Sequence, residues 1–498
     1  MHAVDWVITA LYIGTILGIG WAVSRRITSF RDYFVASGHM SAALLVCTIV
    51  STYYGLDVLF GGSEVGYLDG VVGWFFYTRP YYIAVIIAAL FIARRLKRHD
   101  LISLPDIAGA YFGDGTRAVV AVSSFFYSLP LLAIMGIGVL LDVLLGLPFL
   151  WGVLLGTSIS IVYTLMGGLL ADALTDTVQF TLMCVTLGIA AWLVLGDVGG
   201  IDGMQRLLPE SYFQPRGTYP LAVLVVFGVA ALSVLVEPAL YQRIFAARDY
   251  RSLLIALAVG VVLWAAYDWI VTLMGMAAQA LGVDVEPRYA LITLTLERLP
   301  PGLTGLFVAG VVATAMSTID SYLLICGGNL AYDLYRPLFR PDLSDRETLA
   351  LTRRMIVVAG LASAFFAVTF TSIVSAWVFM STVLVASALV PVLAGLYLPI
   401  PLKRAAGLGA SLGGLGVALV FFLALWILGS EDPEWGTRIW RVTVGGRELE
   451  IWQEYGVLIA LPASLVGFAL GQAFGTRVGP TRGTETPAPE LKTPEVSL

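Results

Sequence analysis

Val312-Ala-Thr-Ala-Met-Ser-Thr-Ile-Asp-Ser-Tyr-Leu-Leu324 is an apolar stretch that carries a polar stripe. At about 100° per residue, Thr314, Ser317, Thr318 and Ser321 fall within roughly 100° of arc on one helix face, with Asp320 beside them. The stretch lies in one of thirteen apolar runs, each about long enough to cross a bilayer. Hydrocarbon gives a hydroxyl nothing to bond to, so this face must look inward, at protein, water or an ion. Sodium is a hard cation that prefers oxygen, and a few neutral hydroxyls suit a monovalent ion that must also leave. The bland alternative is inter-helix hydrogen bonding, worth roughly 0.6 kcal/mol per bond.

The other runs settle the class. Of 498 residues, 58% are hydrophobic and 13% charged, with a mean hydropathy of +0.87. A soluble protein would carry about 25% charged residues. The chain reads as an all-α polytopic membrane protein with spans at 3–23, 42–70, 72–94, 116–145, 148–167, 175–195, 219–239, 252–281, 302–331, 354–371, 373–398, 407–428 and 454–474. The first run has no positive charge before it, whereas Arg25-Arg26 follow it. It therefore reads as a retained helix with its N-terminus outside rather than a signal peptide. With that orientation most Lys and Arg, including Arg94, Arg95, Lys97, Arg243, Arg248, Arg353 and Arg354, fall on inner segments, as the positive-inside rule requires. Cys47, Cys184 and Cys326 lie in separate apolar runs, with neither metal spacing nor a disulfide framework.

The chain divides into an additional N-terminal helix (1–30), two large halves (42–200 and 219–398) and two C-terminal helices (407–474). An insert at 429–453 reads as an extracytoplasmic hairpin or cap. Residues 476–498, rich in Pro, Thr and Glu, read as a disordered cytoplasmic tail.

Ionisable residues inside spans are costly and mark function or pairing. They are Asp57, Arg79, Asp176, Glu237, Asp268 and Asp320. The run Val50-Ser-Thr-Tyr-Tyr-Gly-Leu-Asp-Val-Leu-Phe-Gly-Gly-Ser-Glu-Val-Gly-Tyr67 is glycine-rich and poorly helical. A break there frees carbonyls for a cation, and glycines serve close helix packing equally well. Asp172, Asp176 and Gln179 share a face; Asp172 reads as an acid favoured by the helix dipole, whereas Asp176 sits deeper.

At these residues the chain resembles the sodium:solute symporter family. The matching elements are Asp32-Tyr-Phe-Val-Ala-Ser-Gly38, Tyr163-Thr-Leu-Met-Gly-Gly168 with Thr175-Asp-Thr-Val-Gln179, and Gly305-Leu-Phe-Val-Ala-Gly310 through Met316-Ser-Thr-Ile-Asp-Ser321. The resemblance implies a leucine-transporter-type 5+5 inverted repeat, in which residues 42–200 and 219–398 are the two repeats and the first helix of each is interrupted. It implies a first sodium at carbonyls of Ser51, Tyr54 and Thr314 and hydroxyls of Ser317 and Thr318. A second sodium would fall on Asp176, Ser317, Asp320 and Ser321. Asp320, where other members place serine, suits that ion or a structural hydrogen bond equally.

For a solute, Asp57 suits an ammonium group and Arg79 a carboxylate, while Tyr53, Trp74, Tyr77 and Trp377 are candidates for an aromatic cage. Together they point to a zwitterion such as an amino acid or betaine, or to a quaternary amine. Neutralisation of Arg79 by an acid in the core and the gathering of Trp and Tyr at membrane interfaces are the bland readings.

The implied activity is sodium-coupled symport by alternating access, in an inner (plasma) membrane. Two rivals are a sensor core acting through a separate partner and a proton-coupled carrier using Asp57, Asp176 or Asp320. No nucleophile–base pair, nucleotide loop or metal motif points to an enzyme. The partners expected are sodium, a small solute and lipid, with no nucleic acid, and the chain reads equally as a monomer or a homodimer.

Overall fold

The computed structural model describes residues 2–24, 27, 29–97, 99, 101–217, 221–369, 373–432, 437–444 and 447–475. The tail at 476–498 lies outside the described residues, as do the side chains of Asp57 and Tyr77. Among the described residues, eleven helices are long and apolar enough to cross a membrane, and a bent pair makes a twelfth crossing. They are α1 (Ala3–Ser24), the bent pair α2 (Ala42–Tyr53) and α3 (Val58–Asp69), α4 (Gly73–Leu96), α5 (Asp114–Leu145), α6 (Phe149–Asp197), α7 (Leu224–Ala246), α8 (Tyr250–Ala280), α9 (Leu303–Phe339), α10 (Asp345–Ala367), α11 (Ser375–Tyr397), α12 (Arg404–Leu428) and α13 (Gln453–Phe474). Thirteen spans are expected and twelve are counted, because the expected 148–167 and 175–195 spans run together in α6. A straight rod of its 49 residues would measure about 74 Å, more than twice a bilayer core. It is not straight: Gly168 has φ 57 and ψ -174 inside it. Only glycine takes that conformation without strain, and the backbone and ring of Tyr33 press against the site.

Helix starts differ from hydropathy where polar caps do the work. α10 begins at Asp345 rather than 354, because Ser344 and Glu347 form a capping box before the apolar residues start. α7 continues to Ala246, seven residues beyond its apolar run, because Pro238 restarts it. Proline excludes helical geometry from the preceding residue, and Glu237 is extended at φ -73, ψ 118. Its carboxylate then caps the new turn by accepting from the Leu240 amide at 2.5 Å. The second break lies between α2 and α3. Tyr54 has φ -92 and ψ 64, and the two halves bend by 57°. Both interruptions implied by the resemblance are therefore present.

Close backbone approaches lock these pieces. A Cβ on Gly275 of α8 would sit 2.1 Å from the Ser63 carbonyl, and one on Gly66 2.4 Å from that of Thr272. The glycines after the break thus serve packing, while Tyr54 and Gly55 serve the break. α9, with α11 one of the two most buried crossings among the described residues, is held from α1: Asp5 Oδ1 accepts from the amides of Gly302 (2.7 Å) and Gly305 (2.9 Å) at its N-terminus. Near its other end Asp333 meets Arg117 at 2.9 Å and the Ser103 hydroxyl at 2.8 Å.

α12 and α13 pack through facing Gly-x-x-x-Gly pairs, Gly409/Gly413 and Gly467/Gly471. Between them β1 (Ser430–Asp432), β2 (Thr437–Val444) and β3 (Arg447–Trp452) form an antiparallel sheet in that order. Ile439 and Trp452 of this sheet pack on Phe227 of α7 and Trp377 of α11.

Candidate functional site

A helix that ends in mid-membrane leaves the carbonyls of its last turn without amide partners. Those of α2 are met by the hydroxyl stripe of α9. Ser317 Oγ donates to the Ser51 carbonyl at 3.0 Å and lies 3.1 Å from that of Thr314. Thr318 Oγ1 lies 3.1 Å from the Thr52 carbonyl and 3.3 Å from that of Thr314. Three carbonyls and two hydroxyls therefore converge, all buried. Oxygens about 2.3–2.6 Å from an ion stand roughly 3.3–3.7 Å apart when at right angles. The observed spacings need only a small expansion to take a sodium-sized cation. Of the five residues expected here, Ser51, Thr314, Ser317 and Thr318 come together, and the Thr52 carbonyl joins them. Tyr54 is placed by its side chain, whose hydroxyl reaches the Trp264 carbonyl (2.7 Å) and Asp268 (2.9 Å).

The residues expected at a second sodium are divided among different partners. Ser321 donates to Asp172 and accepts from the guanidinium of Arg243. Asp320 Oδ1 accepts from Thr164 at 3.0 Å. Asp176 lies against Thr48 and Ser51, and its carboxylate oxygens make no hydrogen bond of normal geometry in the structure.

Arg243 requires a correction. Counted from the sequence as an inner-loop charge, it is 0% exposed. It donates to Thr52 Oγ1 at 2.8 Å and to Gln242 at 2.7 Å, and pairs with Asp172 at 3.4 Å. The restart of α7 at Pro238 carries it into the bundle. Asp172 is accordingly its counter-ion, not merely an acid at a helix start.

Beside the converging oxygens is a cavity of about 170 Å³. Thr52 and Thr318 line it, so the two sites share residues. Its polar walls are two buried acids. Glu237 accepts from the hydroxyls of Tyr53 and Tyr322, the latter at 3.1 Å. Asp268 accepts from those of Tyr54 and Tyr82. Aromatic rings fill much of the rest, with Tyr81 and Trp377 5.4 Å apart and Trp264 edge-on to Tyr53 at 5.3 Å. None of the described lining residues is Lys, Arg or His.

Of the expected solute contacts, Tyr53 and Trp377 line this cavity. Trp74 does not; its indole donates to the Ala265 carbonyl at 3.1 Å and packs on Trp269. Arg79 is exposed, with its guanidinium 5.1 Å from the Phe75 ring. Sequence reading missed Tyr81, Tyr82, Tyr127 and Tyr322, which come from three crossings and share no local pattern. It did single out Glu237 and Asp268 as intramembrane acids without giving them a role.

Comparison with known proteins places the chain in a family. The chain is 24% identical over 475 residues to the high-affinity proline transporter PutP of Bacillus subtilis, covering 91% of this chain and 92% of that one. It is 26% identical over 363 residues to the sodium/pantothenate symporter of Escherichia coli, covering 68% and 73%. With the high-affinity choline transporter 1 of Drosophila melanogaster it shares 24% over 398 residues, covering 74% and 62%. Its fold matches a substrate-bound, outward-open sodium-coupled sialic acid symporter with a TM-score of 0.75 at 17% identity, over 96% of this chain and 99% of that one. The sodium:solute symporter family model matches residues 33–416. The chain belongs to the sodium:solute symporter family.

Proposed function

We propose that this protein couples the inward sodium gradient to uptake of a small organic cation, a solute with an ammonium group and no carboxylate. Sodium-coupled symport across the plasma membrane is the activity of its family; the solute class is our reading of the cavity. The observation that carries it is a cavity walled by carboxylates and aromatic rings, with no basic residue among those described, beside the α2–α9 oxygens. Carboxylates and ring faces attract ammonium groups, whereas a solute carboxylate would meet no Lys, Arg or His among the described lining residues. The resemblance to a choline transporter, a carrier of a quaternary ammonium compound, points the same way.

Sodium sits among the carbonyls of Ser51, Thr52 and Thr314 and the hydroxyls of Ser317 and Thr318. It displaces the direct hydroxyl–carbonyl bonds and ties α2 to α9, which sets Thr52 and Thr318 on the cavity wall. Solute then binds between α2, α4, α5, α7, α8 and α11, and both leave inward as the bundle rocks. Each positive charge carried inward gains about 2.3 kcal/mol per 100 mV.

The test is uptake into proteoliposomes of labelled choline, betaine, proline and a sugar under a sodium or potassium gradient. Sodium-driven accumulation of choline in preference to proline supports the reading. Accumulation of betaine, proline or the sugar instead refutes the solute class, and accumulation without sodium refutes the coupling.

A further inference from the structure

We propose that the groove between α1, α6 and α10 binds the phosphate headgroup of an anionic phospholipid in the inner leaflet. The groove has a volume of about 580 Å³ and is lined by Ser24 of α1, Leu165 and Met166 of α6, and Arg353, Arg354 and Val357 of α10. It shares no residue with the solute cavity. Further along, α10 meets α6 closely: a Cβ on Gly360 would sit 2.4 Å from the Ile161 side chain. The groove opens beside Met166, two residues before the break at Gly168. The guanidinium of Arg353 stands 5.5 Å from the centroid of the Tyr33 ring, and its Nε is buried without a hydrogen-bond partner among the described residues. Neither arginine forms an ion pair with an acid among the described residues. Two consecutive guanidinium groups are therefore open to an anion, and their planar forks match phosphate oxygens.

The surroundings favour a lipid over a free anion. Arg353 and Arg354 are the last charged residues of α10, which sets them at the boundary between headgroups and hydrocarbon. The orientation with most Lys and Arg inside puts this end of α10 in the inner leaflet, where anionic lipids attract basic groups. Arg354, Val358, Leu361 and Phe365 recur at i, i+4, i+7 and i+11, which is one helical face. The three apolar members are 47%, 61% and 63% exposed. An acyl chain lying along this face brings its phosphate to the arginines, whereas a soluble anion gains nothing from the apolar walls.

The test is native mass spectrometry of the full chain in detergent, titrated with dioleoyl phosphatidylglycerol, dioleoyl phosphatidylcholine or glycerol phosphate. An arginine beside an anionic headgroup is worth about fivefold in affinity, so phosphatidylglycerol should bind roughly twenty-fivefold more tightly than phosphatidylcholine. In Arg353→Gln/Arg354→Gln that preference should fall to within about threefold of unity. Arg340→Gln/Arg346→Gln, which removes the same charge outside the groove, should keep it. Arg354→Gln alone should lose about fivefold, which decides the matter should the double variant not fold. A preference undiminished in the groove variants, or lost equally in the Arg340/Arg346 control, overturns the site. Glycerol phosphate that displaces phosphatidylglycerol at matching concentration overturns the lipid as occupant.

Discussion

Removing the two α9 hydroxyls that meet the broken helix should separate ion binding from folding. In Ser317→Ala/Thr318→Ala, α9 keeps its helical backbone and loses two hydroxyls that bond to α2 carbonyls at 3.0 and 3.1 Å. Such inter-helix bonds average about 0.6 kcal/mol in membranes, so the double variant should lose about 1 kcal/mol of stability. The same oxygens facing an ion are worth more. Taking about 1.5–3 kcal/mol for each charge-assisted contact, the pair contributes about 3–6 kcal/mol, or roughly a hundredfold to ten-thousandfold in sodium affinity. The assay is sodium titration of tryptophan fluorescence, with thermal unfolding of the same samples in detergent. An unfolding midpoint near wild type, with half-saturating sodium raised at least a hundredfold, is the expected pair of results. A shift below threefold in a folded variant would refute the reasoning, since hydroxyls that merely tie helices have no preference for sodium.

Three further outcomes follow from the surrounding structure. Arg243→Met leaves Asp172 buried without its cation and should cost about 3–5 kcal/mol, whereas Arg243→Met/Asp172→Leu should recover most of it; unfolding midpoints across the mutant cycle check this. Gly275→Ala should cost about 1–3 kcal/mol by forcing α8 from α3, while Gly416→Ala, with nothing within 4 Å, should not destabilise. Asp249 caps α8, and the Ser252 amide, the Arg248 guanidinium and the Ser252 hydroxyl lower its pKa to about 2. A lowered carboxylate pKa stabilises above the unfolded value, 3.8, and this stabilisation disappears as pH falls through about 2. Asp249→Asn should therefore lose less stability than wild type between pH 5 and pH 2, as measured by thermal unfolding.

The legible parts of the fold and the illegible parts differ in physical range. Apolar runs and the α9 stripe are local periodicities, and the stripe does face α2. The weakness of Val50–Tyr67 is local too, because glycines and hydroxyl residues cluster there. Arg243 was misplaced because its burial depends on Glu237 capping a restarted helix, and a proline beside a carboxylate looks like the end of a span. Arg79 was assigned to a solute carboxylate from its position within an apolar run, but helical phase turns it outward. The cavity tyrosines escaped notice because each is ordinary in its own segment. Only tertiary packing brings Tyr53, Tyr82 and Tyr322 to the two acids.

Thr52 and Thr318 touch both the converging oxygens and the cavity, so sodium and solute must influence each other's binding. Linkage requires the two effects to be equal. The most direct test measures binding of radiolabelled sodium to the purified protein with and without a saturating transported amine, and of the amine with and without saturating sodium. The account predicts tighter binding in both directions by the same factor, about fivefold or more for a coupling of at least 1 kcal/mol. Sodium binding that the amine leaves unchanged, or no sodium binding at all, would contradict it.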